Sequence, residues 1–238
     1  MKTLFLITLL TVSSMFAQAM ENQPKLVSTD YHTGYIPDGF DTNDNVQIVG
    51  EGLFSNTCMR PANFTVRIDK QNKKIHINPR AYEYQGQMCA MVLNPYSQEI
   101  NLGLLSAGSY DVIQHGLYKA KLGQLNIRLA ANSEPDEYIY APVSEASWNY
   151  KNGRGYITLK GSFTSTCWSM RAIQVDIQKE KNVIVVQPVS NIKKDTACAD
   201  RMVPYEKTFA VEGLDAGRYL LHVRSTNAKA VNNLVNVY

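Results

Sequence analysis

Beyond its first residues the sequence has no apolar run near the roughly 18 to 20 residues that a membrane-crossing helix needs, and no stretch with helical period. It also lacks Cys-x-x-Cys, Gly-x-Ser-x-Gly, His-Glu-x-x-His and any phosphate-cradling glycine loop. Imidazoles are scarce, since His32, His76, His115 and His222 are the whole supply. Strong charge is missing as well: 24 basic residues stand against 21 acidic ones, for a net charge of +3. So weak a field gives no reason to expect nucleic acid or an anionic bilayer as partner. A Ser-His-Asp site assembled only in space is the enzymatic class that these absences leave open. No cofactor and no metal set is implied.

What is present begins with a leader. Lys2 supplies a positive start, residues 4–12 are apolar, and Ala17-Gln18-Ala19 fits the small-residue cleavage rule, which predicts a signal peptide over 1–19. That leader has no cysteine to carry a lipid. The expected product is periplasmic or extracellular, with no membrane insertion after cleavage. All 4 cysteines lie beyond the leader, and in an oxidising compartment an even number favours disulfides.

The chain repeats itself. Leu105-Ser106-Ala107-Gly108-Ser109-Tyr110 recurs as Leu214-Asp215-Ala216-Gly217-Arg218-Tyr219, and the same shift of 109 residues carries Cys58 onto Cys167 and Cys89 onto Cys198. If each copy folds alone, Cys58 pairs with Cys89 and Cys167 with Cys198. Each bridge then closes about 31 residues, worth roughly 3 to 4 kcal/mol in the chain-entropy picture. The expected organisation is a polar segment over 20–45, one β-sandwich repeat over 46–131, a linker over 132–137 and a second repeat over 138–238.

Alternation of apolar and polar residues predicts strands in both copies. Ile48, Gly50, Gly52 and Phe54 share a face that Ile157, Leu159, Gly161 and Phe163 repeat. Glycine inside a strand signals a bend or a close backbone approach, which is expected at Gly52 and Gly161. Phe64, Val66 and Ile68 match Ile173, Val175 and Ile177. Ile75 and Ile77 should point inward with His76 outward, as should Ile184 and Val186 with Val185 outward, each run stopping at Pro79 or Pro188. The copies differ most over 82–88 and 191–197, which read as variable loops stapled by Cys89 and Cys198. Asp38, Asp41, Asn43, Asp44 and Asn45 crowd before the first strand, but without the order of a calcium loop they read as an Asx-rich turn.

Short strands spaced by turns predict an all-β chain of two tandem antiparallel sandwiches. The repeated hexapeptide resembles the tyrosine corner of immunoglobulin and fibronectin type III domains, and that resemblance makes Gly108, Tyr110, Gly217 and Tyr219 structural corner residues. No cysteine follows either tyrosine by two residues, since Val112 and Leu221 stand there, so the bridges should tie loops at a rim. The cysteine spacing with Leu102 to Val112 also resembles uncharacterised exported bacterial proteins with tandem immunoglobulin-like or fibronectin III-like repeats. That resemblance implies a fold more than an activity.

Of 14 tyrosines, Tyr31, Tyr35, Tyr82, Tyr84, Tyr96 and Tyr150 fall in expected loops, where tyrosine suits recognition. Tyr82 and Tyr84 are the candidate recognition loop because they lie where the copies diverge. The reading is a non-enzymatic binding or structural module of the cell envelope, with a protein or glycan partner. An envelope hydrolase or protease-inhibitor-like protein is the alternative.

Overall fold

The alternating pattern becomes strand almost everywhere in the computed structural model, which describes residues 23–132, 138–193 and 197–238. The leader, residues 133–137 of the linker and residues 194–196 of the second variable loop lie outside the described residues. The first repeat contains β1 (Lys25–Ser28), β2 (Thr33–Tyr35), β3 (Phe40–Asp41), β4 (Val46–Phe54), β5 (Met59–Pro61), β6 (Thr65–Asp69), β7 (Lys74–Asn78), β8 (Arg80–Glu83), β9 (Asn94–Gly103), β10 (Gly108–His115) and β11 (Lys119–Arg128). The second contains β12 (Val143–Lys151), β13 (Arg154–Phe163), β14 (Trp168–Gln178), β15 (Val183–Ile192), β16 (Val203–Val211), β17 (Gly217–Ser225) and β18 (Lys229–Val237).

Each repeat is a β-sandwich. In repeat 1, β2-β4-β9 packs on the five-stranded β3-β11-β10-β7-β6, and β1-β8-β5 forms a third, small sheet. In repeat 2, β12-β13-β16 packs on β14-β15-β17-β18. Pairing is antiparallel except where β7 meets β10, β15 meets β17, and β3 lies along β11. Strand order explains the first two exceptions. The β6–β7 hairpin places its second strand inside the sheet, the chain crosses to the other sheet as β9, and it returns as β10 beside β7.

The inward faces close two cores. Ile48, Phe54, Ile75, Ile77, Ile100, Tyr110, Val112 and Leu125 fill the first, and Ile157, Leu159, Ile184, Val186, Tyr219, Leu221 and Val223 the second. The strand glycines mark a close approach. The Tyr96 ring lies over Gly52, and its hydroxyl donates to the Asp30 carbonyl at 2.8 Å; Tyr205 covers Gly161 and donates to the Pro142 carbonyl at 2.9 Å. A Cβ at either glycine would collide with that ring and carbonyl.

Four expectations need correction. The polar segment over 20–45 carries β1, β2 and β3, and it buries Tyr31, Tyr35, Ile36 and Phe40 in the sandwich. Tyr31, Tyr35 and Tyr96 are therefore packing residues, not loop recognition residues, while Tyr150 sits within β12. Pro188 does not end its strand: β15 runs through it to Ile192, with β14 shifting register between Met170 and Ala172 opposite. Finally, Val185 is not solvent-facing.

The last correction exposes how the repeats join. The outer face of β2 and β4 lays Tyr35 and Val49 against Val183 and Val185 of β15 and Leu220 of β17, with Leu234 of β18 alongside. Polar groups ring this contact. Glu51, buried on β4, accepts from the Tyr35 hydroxyl at 2.9 Å and from Arg218 Nε at 2.6 Å. Arg224 pairs with Asp44 at 3.3 Å, donates to the Gly39 carbonyl at 2.8 Å and lies over the Phe40 ring. Lys181 meets Asp38 at 2.6 Å. The acidic cluster thus forms an Asx turn, with Asn43 donating to Asp41 Oδ1 and Asp41 to Asp44 Oδ2, both at 2.8 Å, and two of its carboxylates serve the joint.

Candidate functional site

Strand β8 is central in the small sheet, paired on one side with β1 and on the other with β5. It delivers the chain to a loop over residues 84–93 that is fixed at three points. Cys58 and Cys89 are joined, with Cα atoms 5.4 Å apart. The Tyr84 amide donates to the Cys58 carbonyl at 3.1 Å. Thr57 clamps Ala90 twice, its amide donating to the Ala90 carbonyl at 3.1 Å and its hydroxyl accepting from the Ala90 amide at 3.0 Å. Asn56 and Arg60 hold the opposite limb, Asn56 Oδ1 accepting from the Cys58 amide and Arg60 donating to the Thr57 and Met59 carbonyls.

The second repeat builds the same clamp. Cys167 joins Cys198, Thr166 bonds Ala199 through both amide and hydroxyl, and the Lys193 amide donates to the Cys167 carbonyl. What the clamp presents differs. In repeat 1 the loop offers Met88, fully exposed, Met91 at 78 %, Leu93 at 69 % and Val92 at 54 % exposure. The matching positions in repeat 2 are Ala197, Asp200, Met202 and Arg201. Exposed apolar side chains grouped on one anchored loop mark an interaction surface more strongly than scattered single ones. Tyr82 and Tyr84 flank them, half-exposed, with Leu26 of β1 exposed beside Tyr82 in register.

Sequence reasoning named Tyr82 and Tyr84 and passed over Met88, Met91, Val92 and Leu93. The signal was present: Met88, Ala90, Met91, Val92 and Leu93, five of the seven residues from Met88 to Asn94, carry no hydrogen-bonding side chain, in a segment with no strand period to bury them.

The corner residues lie elsewhere. Gly108 and Gly217 hold φ of 136° and 157°. The Tyr110 hydroxyl donates to the Ser106 carbonyl at 2.9 Å, four residues upstream, and also lies 2.8 Å from Ser106 Oγ and 3.2 Å from Lys73 Nζ. Tyr219 is equally buried, yet its hydroxyl makes no hydrogen bond among the described residues. Asp215 replaces Ser106 there and turns to Lys179 at 3.2 Å.

The histidines do not assemble a nucleophile. His76 and His115 contact each other at 2.8 Å, His222 Nδ1 meets Asn232 Oδ1 at 2.7 Å, and His32 approaches Glu51 at 3.9 Å. Among the described residues no three of His, Cys, Asp and Glu gather to hold a metal ion. His222 is buried between the repeats beside a cavity of about 20 Å³ lined by Phe40, Asp44, Tyr140 and Arg224. Burial, opposed by the Asn232 bond and helped by Arg224, pushes its pKa down to about 4.

Comparison with known proteins places both repeats in one family. The ORF11 beta-sandwich domain family matches over residues 48–122 and again over 157–237. No curated protein and no solved structure matches the chain. The two matched segments begin at Ile48 and Ile157, the same position in the repeat, so the chain belongs to the ORF11 beta-sandwich domain family and carries that domain twice.

Proposed function

We propose that the chain is an exported, non-enzymatic binding module of the cell envelope or extracellular space, and that its stapled loop in repeat 1 docks on a partner protein. The observation that carries this is the exposure of Met88, Met91, Val92 and Leu93 on a loop fixed by a disulfide. Methionine and leucine offer contact area without hydrogen-bond demands, which suits an apolar protein groove better than a sugar. A loop already held in place also loses little freedom on binding. Two disulfides, and the absence among the described residues of any helix long and apolar enough to cross a membrane, fit an exported protein. A hydrolase would need an imidazole bonded to a hydroxyl or thiol nucleophile, and the bonds of His76, His115 and His222 go elsewhere.

The test is site-specific photo-crosslinking in the producing cell. A photoreactive residue at position 91 is expected to give a discrete adduct that disappears when Met88 and Leu93 are changed to Ser. The same residue at position 151, on an exposed strand end of repeat 2, should give none. Adducts indifferent to the loop changes, or none from position 91, refute the reading.

A further inference from the structure

The outer face of the five-stranded sheet in repeat 1 carries a line of four basic side chains, one from each of four neighbouring strands. Arg67 on β6 stands in register with His76 on β7. His115 on β10 stands in register with Lys119 on β11. The two imidazoles bridge the middle, His76 Nδ1 lying 2.8 Å from His115 Nε2. Arg67 and Lys119 are exposed and form no ion pair among the described residues.

From this line we propose an oxyanion-binding site, formed by Arg67, His76, His115 and Lys119, that takes a phosphate, sulfate or carboxylate group of a ligand. It is independent of the loop described above. In its neutral form the histidine pair shares one hydrogen bond, one ring donating to the other. Once both rings are protonated both nitrogens are donors, that bond is lost, and an acceptor must come from outside the pair.

Among the described residues no protein group supplies one. Of the carboxylates on this side of the sheet, Asp111 of β10 is taken by Lys121 of β11 at 2.6 Å. Asp69 of β6 accepts from the Asn72 amide at 3.0 Å and its side chain at 2.9 Å. Lys74 of β7 lies in register with both Asp69 and Asp111 and adds to the positive field. The pKa of His76 is lowered first by burial and then by Arg67, His115 and Lys119, with Asp69 opposing, so positive charge outweighs negative around it. A cation is the wrong ligand for the pair, because Arg67 and Lys119 repel it. The matching positions of repeat 2 are Asp176, Val185, Arg224 and Ala228, where the basic line is absent.

The site can be read by NMR of the histidine ring carbons in the full mature chain, titrated with inorganic phosphate, sodium sulfate and sodium acetate at constant ionic strength. The expected result is saturable shifts at His76 and His115 that are at least about tenfold weaker at pH 8 than at pH 5.5, because binding requires the protonated pair. Arg67→Gln and Lys119→Gln should each weaken phosphate binding several-fold while leaving the remaining spectrum folded. The relative order of the three anions distinguishes a phosphate or sulfate ester from a carboxylate as the natural group. The proposal is overturned if sodium chloride produces the same shifts, if both variants bind phosphate like wild type, or if zinc saturates the pair while phosphate does not.

Discussion

His222 sits where protonation and docking of the repeats collide. It lies on the outer face of β17 with 1 % of its surface exposed, its ring edge against Phe40 at 5.7 Å between centroids. Asn232 Oδ1 faces Nδ1, which assigns the single proton to that nitrogen and leaves Nε2 buried without a partner among the described residues. Burial holds the pKa at about 4, against 6.5 for an ordinary histidine. The unfolded chain therefore binds the proton more readily than the folded one, so stability is whole above about pH 6.5 and is lost as pH falls toward 4. Integrating that linkage from pH 7 to pH 5 gives a loss of about 2 kcal/mol. Asp44, the nearby carboxylate, has its pKa raised by burial against the pull of Arg224. That shift acts in the opposite sense, adding stability as pH falls through the carboxylate range, so the measurement belongs above pH 5. Urea unfolding of wild type and His222→Asn, which keeps a donor for Asn232, should differ in pH slope by that amount, the variant being flatter. An equal slope in both, or a ring pKa of His222 near 6.5 by NMR, would sink the reasoning.

Tyr110→Phe should cost roughly 0.5 to 1.5 kcal/mol in urea unfolding by losing the bond to the Ser106 carbonyl, whereas Tyr219→Phe should be near neutral because its hydroxyl bonds nothing among the described residues; equal costs would contradict the asymmetry between the corners. Gly161→Ala and Gly52→Ala should each cost about 1 to 3 kcal/mol by driving a methyl into the covering tyrosine and carbonyl. Gly103→Ala, with φ of 68° and nothing near its Cβ, should cost only about 1 kcal/mol of backbone strain. Val185→Asp should separate the repeats without unfolding them, seen as a larger radius of gyration in X-ray scattering, since a lone buried carboxylate costs several kcal/mol; an unchanged radius would mean that the joint rests on its polar rim.

The period of two and the shift of 109 residues carried the sandwich architecture because both are local or internal to the sequence. Ile48, Ile75, Ile77 and Leu125 declare their faces by alternation alone. What could not be read was anything set by one repeat touching the other. Val183, Ile184, Val185 and Val186 run apolar without alternation, the pattern of a strand buried on both faces, and the outward assignment of Val185 overlooked it. Tyr31, Tyr35 and Phe40 defeated the reading differently. They sit among polar residues that mimic a loop, and only the β2–β4 pairing and the pairing of β3 with β11 reveal what buries them. The exposure of Met88 to Leu93 was passed over for a different reason, since the segment was weighed by its tyrosines and by its divergence between the copies, while its apolar residues without strand period went uncounted.

The joint between the repeats uses two surfaces, neither of which the other repeat carries. Repeat 1 offers the outer face of its β2-β4-β9 sheet, and repeat 2 receives it on the outer face of its β14-β15-β17-β18 sheet, so the contact joins two different surfaces. Head-to-tail contacts of that kind can propagate without limit when every copy carries both surfaces. Here neither repeat carries both. The offering residues Tyr35, Val49 and Glu51 become Ser144, Thr158 and Lys160 in repeat 2, with Thr158 bonded to Thr208 on its own sheet at 2.8 Å. The receiving residues Val183, Val185 and Leu220 correspond to Lys74, His76 and Asp111 in repeat 1. Burying those charges against an unmodified apolar face would cost several kcal/mol per unpaired ion, more than the lost contact area could return. The same differences that keep repeat 1 from receiving such a contact leave the sheet of His76 and His115 basic and without an apolar cover.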